Sequence, residues 1–185
     1  MAMPDTLDRW SLAELHRLPD DGNRYELVRG QLFVTPAPSY AHQCLVDALA
    51  AALFPYVAKH RLGWLSFPRG IVRVGTDTEV EPDLMVRPNP AERPLNWETA
   101  PLPLLVIEVL SGTTRRRDRV EKRTLYRDLG IRDYWIVDGE RRIVHVARPA
   151  ADDVDVSTTL TWQPLDVPEP FVLDLGEYFR GALGD

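Results

Sequence analysis

The chain has 185 residues, 44% of them hydrophobic and 27% charged, with a formal net charge of -6. That length encloses one core with a covered sheet but not two full domains, and the balanced composition excludes a disordered chain. A single cysteine, Cys44, excludes an intrachain disulfide and a cysteine-built zinc or iron-sulfur site, which points to a reducing, cytoplasmic setting.

The opening residues, Met1 to Asp5, show no basic segment followed by an apolar one. The most apolar helix-length stretch, Leu45 to Ala58, is interrupted by Asp47 and Pro55, so neither a secretion signal nor a membrane span is expected. The acidic balance speaks against a polyanion partner, but positive charge is concentrated locally. Arg115, Arg116, Arg117, Arg119, Lys122, Arg123 and Arg127 stand against Asp118 and Glu121, whereas acids dominate from Asp138 onward. On charge alone, an arginine-rich helix is equally well a solvated face.

In chain order, Ser11 to Glu14 has the spacing of a capping box and predicts a helix to about Leu18, ended by Pro19 to Gly22. Tyr25 to Val28 and Gln31 to Thr35 flank Arg29-Gly30 and predict a hairpin. Apolar residues at steps of three and four from Tyr40 to His60 predict a long helix that Pro55 kinks or shortens. Short β-runs follow at Trp64 to Phe67, Ile71 to Val74 and Leu84 to Val86, then a proline-rich loop from Pro88 to Pro103. Leu104 to Leu110 is apolar but for Glu108, as in a central strand covered on both faces. A helix from about Asp118 to Leu129 ends at Gly130, and Tyr134 to Val137 turns back into Ile143 to Val146. A β-run near Val154 to Trp162 and a helix near Leu175 to Leu183 complete the chain.

Glu108 is the most informative residue, because a carboxylate in a strand of leucine, valine and isoleucine costs several kcal/mol to bury unpaired. It needs either an arginine partner or a divalent ion. Asp83 enters a β-run behind Pro82, a position suited equally to a turn residue and to a metal ligand. Two carboxylates at the ends of adjacent strands suit a hard ion such as magnesium. Lys122 lies three, four and seven residues before Leu125, Tyr126 and Leu129, so it continues an inward stripe. The spacing of Asp118 and Glu121 places it in the first turn of its helix, a location that favours phosphate. Pairing with Asp118 four residues back is the alternative role for Lys122.

Pro82-Asp83, then Glu108-Val109-Leu110 on an apolar strand, then Lys122 on the next helix, resemble the PD-(D/E)XK nuclease signature. Tyr25 to Gly30, Pro38 to His42, Val106 to Ser111, Asp118 to Tyr126 and Asp133 to Asp138 resemble, more closely, the Uma-two family of bacterial restriction endonuclease-like proteins. The resemblance spans residues 10–180 and leaves 1–9 and 181–185 as termini. It implies an α/β (α+β) restriction endonuclease-like core, a central mixed sheet flanked by helices, with an N-terminal helix and hairpin. Leu110 departs from the superfamily pattern, which has a lysine there; residue 110 shares a sheet face with Glu108, and the resemblance implies that Lys122 substitutes.

The implied activity is hydrolysis of a nucleic-acid phosphodiester, with DNA as the expected substrate. Asp83, Glu108 and the Val109 carbonyl would hold Mg2+ or Mn2+, and Lys122 would assist. Arg115, Arg116, Arg117, Arg119 and Arg123 would hold flanking phosphates. Glu26 is a candidate fourth catalytic residue by the same resemblance, or an exposed strand glutamate. His42 faces the cleft or packs, with packing preferred. A homodimer suits cleavage of both strands of a duplex. The rival readings are an inactive nuclease-fold module that binds nucleic acid or protein, and a hydrolase of smaller phosphoesters.

Overall fold

The computed structural model describes residues 9–90, 94, 96–112 and 116–185. Its elements begin and end largely at the residues whose chemistry demands it. Helix α1 (Leu12–Leu15) opens at Ser11, whose amide and hydroxyl donate to the Glu14 carboxylate at 2.8 and 2.7 Å. Strands β1 (Arg24–Val28) and β2 (Gln31–Thr35) form the expected hairpin, with Arg29 and Gly30 at φ 51° and 81°. Two successive positive φ values are what a two-residue turn between twisted strands requires. Helix α2 (Tyr40–Lys59) starts at Ser39, whose hydroxyl accepts the His42 amide, and runs through Pro55 rather than ending there.

Next come β3 (Trp64–Ser66), β4 (Val72–Val74), β5 (Thr78–Val80), β6 (Leu84–Arg87) and β7 (Leu105–Val109). Residues Arg117–Lys122 wind as a π-helix that continues into α3 (Arg123–Asp128). That helix ends as expected at Gly130, whose φ of 74° lets its own amide reach the Arg127 carbonyl and the Ile131 amide reach that of Tyr126. The chain finishes with β8 (Asp133–Asp138), β9 (Ile143–Arg148), β10 (Ala151–Val156), β11 (Thr159–Trp162), β12 (Phe171–Asp174) and α4 (Leu175–Leu183).

The strands make a four-stranded sheet in the order β2-β1-β5-β4, a six-stranded sheet in the order β10-β9-β8-β7-β6-β3, and the pair β11-β12. In the six-stranded sheet β7 and β8 are parallel and the other neighbours antiparallel, so the central sheet is mixed. A parallel neighbour needs a crossover, and the π-helix with α3 supplies it. Alternation along β7 divides the core. Leu105, Ile107 and Val109 join α2, α4 and β11-β12, with Trp135, Trp162 and Phe179 at the centre. Val106 faces the other way, with Met85, Tyr134 and Ile136, toward Leu125 and Tyr126 of α3 and Val28, Val72 and Val80 of the four-stranded sheet. Glu108 belongs to this second side by period.

Several expectations change. The helix carrying Lys122 does not start at Asp118: residue 116 is already helical, and Asp118 lies inside the π-helical segment, buried. Lys122 is thus not in a first turn, and no phosphate-binding helix start lies there. The run from Val154 to Trp162 is two strands that bend at Ser157 and join different sheets, and β12 was not expected. Strand β5 also went unread, because Thr78-Glu79-Val80 is short and acidic; Glu79 sits there on Arg73 and His16. Helix α2 is long and apolar enough to cross a bilayer by length and composition alone. Its Leu45, Val46, Leu49, Ala50, Leu53 and Val57 are nonetheless buried against the sheet.

Pro55 is exposed on α2 and cannot donate to the residue four back. Pro55→Ala restores that bond at a position with no core contact to lose, and urea unfolding should show a gain of roughly 1–3 kcal/mol.

Candidate active site

The two larger sheets are joined by Glu81-Pro82-Asp83, which links β5 of one to β6 of the other. Buried charge collects at this junction. Glu26, Asp83, Glu108 and Asp118 are all 2% exposed or less. Glu26 comes from β1, where strand alternation puts Arg24 on the same face. Glu108 comes from β7, and the pairing of Leu84 with Ile107 sets Asp83 opposite it one step on. Asp118 comes from the π-helix, whose wide turn also directs Arg117 and Lys122 inward.

Lys122 is fully buried, and its Nζ lies 2.7 Å from Glu26 Oε1 and 2.7 Å from Glu108 Oε1, with Asp118 Oδ1 farther off at 3.9 Å. The alternative pairing with Asp118 within the helix is thus the longest of its three contacts. The Tyr126 hydroxyl donates to Glu108 Oε1 at 3.2 Å, and the Glu81 amide donates to Glu26 Oε1 at 2.9 Å. Glu26 is no exposed strand glutamate: besides Lys122 it faces Arg117 Nη1 at 3.3 Å. Leu110, two residues after Glu108, packs in the same apolar cluster as Val106, and the ammonium beside Glu108 comes instead from Lys122 of the crossover helix.

Asp83 is held by three donors. Arg24 Nη1 reaches Oδ1 at 2.8 Å, the Val109 amide reaches Oδ2 at 2.8 Å, and His42 Nε2 stands 3.2 Å from the same oxygen. The preference for His42 as a packing residue is therefore corrected: the first turn of α2 aims its ring at Asp83. Asp83, His42, Arg24, Val109 and Asp118 lie on the wall of a cavity of about 970 Å³.

The carboxyls at this junction ionise differently. Burial raises Asp83, but the His42 hydrogen bond, the Arg24 charge and the Val109 amide outweigh it and hold Asp83 well below the usual carboxylate range. Burial pushes Glu108 up to about 8: Lys122 opposes the shift, while Asp83, Asp118 and Glu26 reinforce it. Glu26 is equally buried, yet Lys122, Arg24 and Arg117 together bring it below its ordinary value. Of the two carboxyls sharing Lys122, Glu108 keeps the proton because Glu26 has two guanidiniums besides.

Among the described residues no group of three or more His, Cys, Asp or Glu side chains is arranged to hold a metal ion. The donors available at the junction are the facing carboxylates Asp83 and Glu108, an oxygen set of the kind hard divalent ions take while keeping several waters.

The arginine cluster is not the outer face that the sequence suggested. Arg117 is 7% exposed and donates to Thr35 Oγ1 at 2.6 Å, so burial removes it from contact with any flanking phosphate. Arg119 reaches Asp138 at 3.5 Å, and Arg123 grips Asp153 through Nε and Nη2 at 3.1 and 2.7 Å. Arg116 points outward, its nearest acid Glu121 3.8 Å away, and Arg115 lies outside the described residues. Arg24 escaped the sequence reading, although its place two residues before Glu26 on a strand was the available signal.

A family model described as "Putative restriction endonuclease", Uma2, matches residues 12–181. The fold matches a crystal structure from Anabaena variabilis ATCC 29413, described as a "putative nuclease belonging to DUF820", with a TM-score of 0.74 and 19% identity. That match covers 94% of this chain and 99% of the other, and at such identity the likeness concerns the fold. No curated protein matches the chain.

Two outcomes follow from the charges. Lys122→Ala leaves Glu26 and Glu108 buried without their shared ammonium, and urea unfolding should show a loss of about 3–5 kcal/mol. Glu108 holds its proton up to about pH 8 in the folded protein but releases it near its ordinary value when unfolded. Its contribution to stability is therefore present at low pH and lost as pH rises through about 8. Glu108→Gln cannot ionise, so its melting temperature relative to the native protein should climb from pH 5 to pH 9; a difference independent of pH would contradict the assignment.

Proposed function

Because the chain belongs to the Uma2 family, described as "Putative restriction endonuclease", we propose that it is a divalent-metal-dependent endonuclease that hydrolyses phosphodiester bonds of DNA. The observation that carries this reading is the register that sets Asp83, on the wall of a cavity, opposite Glu108 on the neighbouring strand behind it, with Lys122 Nζ 2.7 Å from Glu108. Asp83, Glu108 and the Val109 carbonyl would hold Mg2+ or Mn2+, which when bound polarises the phosphate and lowers the pKa of a bound water.

The chain's own residues do the rest. The Val109 amide, His42 and Arg24 keep Asp83 ionised and fixed in direction. Glu108 gives up its proton as the ion binds, because a divalent charge beside it favours the carboxylate, so metal uptake should release a proton and strengthen as pH rises. Lys122 is buried and acts through its field: its charge behind Glu108 offsets the negative charge that builds as water adds at phosphorus and the ester P–O bond breaks. Glu26 positions Lys122; the attacking water gives its proton to solvent in the cavity, and the leaving oxygen takes one from the same solvent. Arg116 is the cluster member placed to hold a flanking phosphate, with Arg119 and Arg123 adding charge rather than contact. Cleavage of both strands of a duplex calls for two such centres, and hence a homodimer.

A second reading, a nuclease-fold module that binds without turnover, is favoured by Leu110 in the lysine position and by the Arg24 guanidinium on Asp83. Calorimetry with Mn2+ separates the two, since the module takes up no metal while its fold is intact.

Purified protein incubated with plasmid and oligonucleotide DNA plus Mg2+ or Mn2+ should nick or cut them, and EDTA should abolish the reaction. Asp83→Ala and Glu108→Ala should each slow cleavage by about 1,000-fold or more. Unchanged activity in either variant overturns the assignment.

A further inference from the structure

Three cations sit at the junction, and one of them faces the cavity. The Lys122 and Arg117 side chains are 0% and 6% exposed, whereas Arg24 is 18% exposed and lines the cavity wall. Arg24 makes its hydrogen bonds through Nη1, to Asp83 Oδ1 at 2.8 Å and the Glu81 carbonyl at 3.1 Å. A guanidinium carries five N–H donors in one plane. Among the described residues the Nε and Nη2 edge of Arg24 has no hydrogen-bond partner, although two parallel N–H bonds project from that edge.

Such an arrangement is preorganised. The anchors on Asp83 and Glu81 have already removed the side chain's freedom, and the open edge matches two oxygens of a phosphate group. A phosphate brought beside Asp83 meets repulsion from that carboxylate and from Glu108, so it can rest there only against a cation that reaches the cavity. Of the other arginines, Arg117 is buried and Arg119 and Arg123 are paired with Asp138 and Asp153, while on the cavity wall Arg73 is spent on Glu79 and Arg69 reaches Asp20 rather than Asp83.

We propose that Arg24 is the phosphate-binding residue of this site, holding one phosphodiester group of a nucleic-acid strand through its Nε and Nη2 edge while Nη1 stays on Asp83. The proposal rests on the reading of the junction as a nucleic-acid centre, but not on turnover. It is tested with the full chain in EDTA, by fluorescence anisotropy of a labelled oligonucleotide across a range of KCl concentrations. Arg24→Gln should bind about 10-fold more weakly, and the slope of log affinity against log salt should shrink by about 0.7–0.9, the share of one phosphate contact. Arg24→Lys keeps a positive charge on Asp83; it should keep the native melting temperature and salt slope yet bind several-fold more weakly, because an ammonium lacks the fork. Arg180→Gln, which removes an exposed arginine paired with Glu177 away from the cavity wall, should bind as the native chain does.

Native-like affinity in a folded Arg24→Lys, or an unchanged salt slope in Arg24→Gln, overturns this inference alone. A native chain that binds no oligonucleotide at any salt concentration overturns it together with the nucleic-acid reading on which it rests.

Discussion

A fully buried ammonium between two buried carboxylates is the constraint on which the rest of the molecule depends. Lys122 joins Glu26 of the four-stranded sheet to Glu108 of the six-stranded sheet, both at 2.7 Å. Each of these charges alone would cost several kcal/mol to remove from water, and together they are tolerable only if the geometry is close and the remaining oxygens are bonded. The Glu81 amide and the Tyr126 hydroxyl bond the same two oxygens that Lys122 holds, while Glu26 Oε2 is left with the Arg117 charge at 3.3 Å and no hydrogen bond among the described residues. The two sheets and the crossover helix are therefore held in one relative arrangement by a polar contact as well as by the apolar cluster around Leu125, Tyr126 and Tyr134.

Replacing this contact with hydrocarbon would cost little stability and would simplify the core. Its retention in the most apolar strand makes sense for a site, where charge must be held ready in a low dielectric. The wide turn of the π-helix serves the same end: Arg117, Asp118 and Lys122 all point inward within six residues, more charge than one face of a regular α-helix would direct to a single place. Asp83 and Glu108 then differ by environment, the first met by three donors and the second left with a proton, so that one carboxylate is ready at any ordinary pH and the other responds to it.

The cavity beside this junction meets Asp83, His42 and Arg24 rather than the buried lysine. Under the proposed function, substrate on this side would meet carboxylate oxygens and a guanidinium edge, with Lys122 acting from behind through the field it sets. Electrostatic stabilisation of this kind needs no contact with the reacting atoms, and burial strengthens it. Leu110, two residues after Glu108 on the same face, packs the core, and the positive charge beside Glu108 enters from the crossover helix instead.

The elements whose residues share one local pattern could be read from the chain alone. The Arg29-Gly30 hairpin, the stop at Gly130, the buried strand around Glu108 and the inward stripe of Lys122 with Leu125 and Tyr126 each follow from periodicity or from a backbone preference within a few residues. Glu26 and Asp83 were legible only as candidates, because strand spacing tells which way a side chain points but not what it meets. The aim of His42 at Asp83, the burial of Arg117, the open edge of Arg24, the π-helical turn and the pairing of β11 with β12 were decided in three dimensions. The physical reason is that a charge acquires its value from desolvation and from its partners, and here those partners come from strands and helices that are adjacent only after two sheets have met.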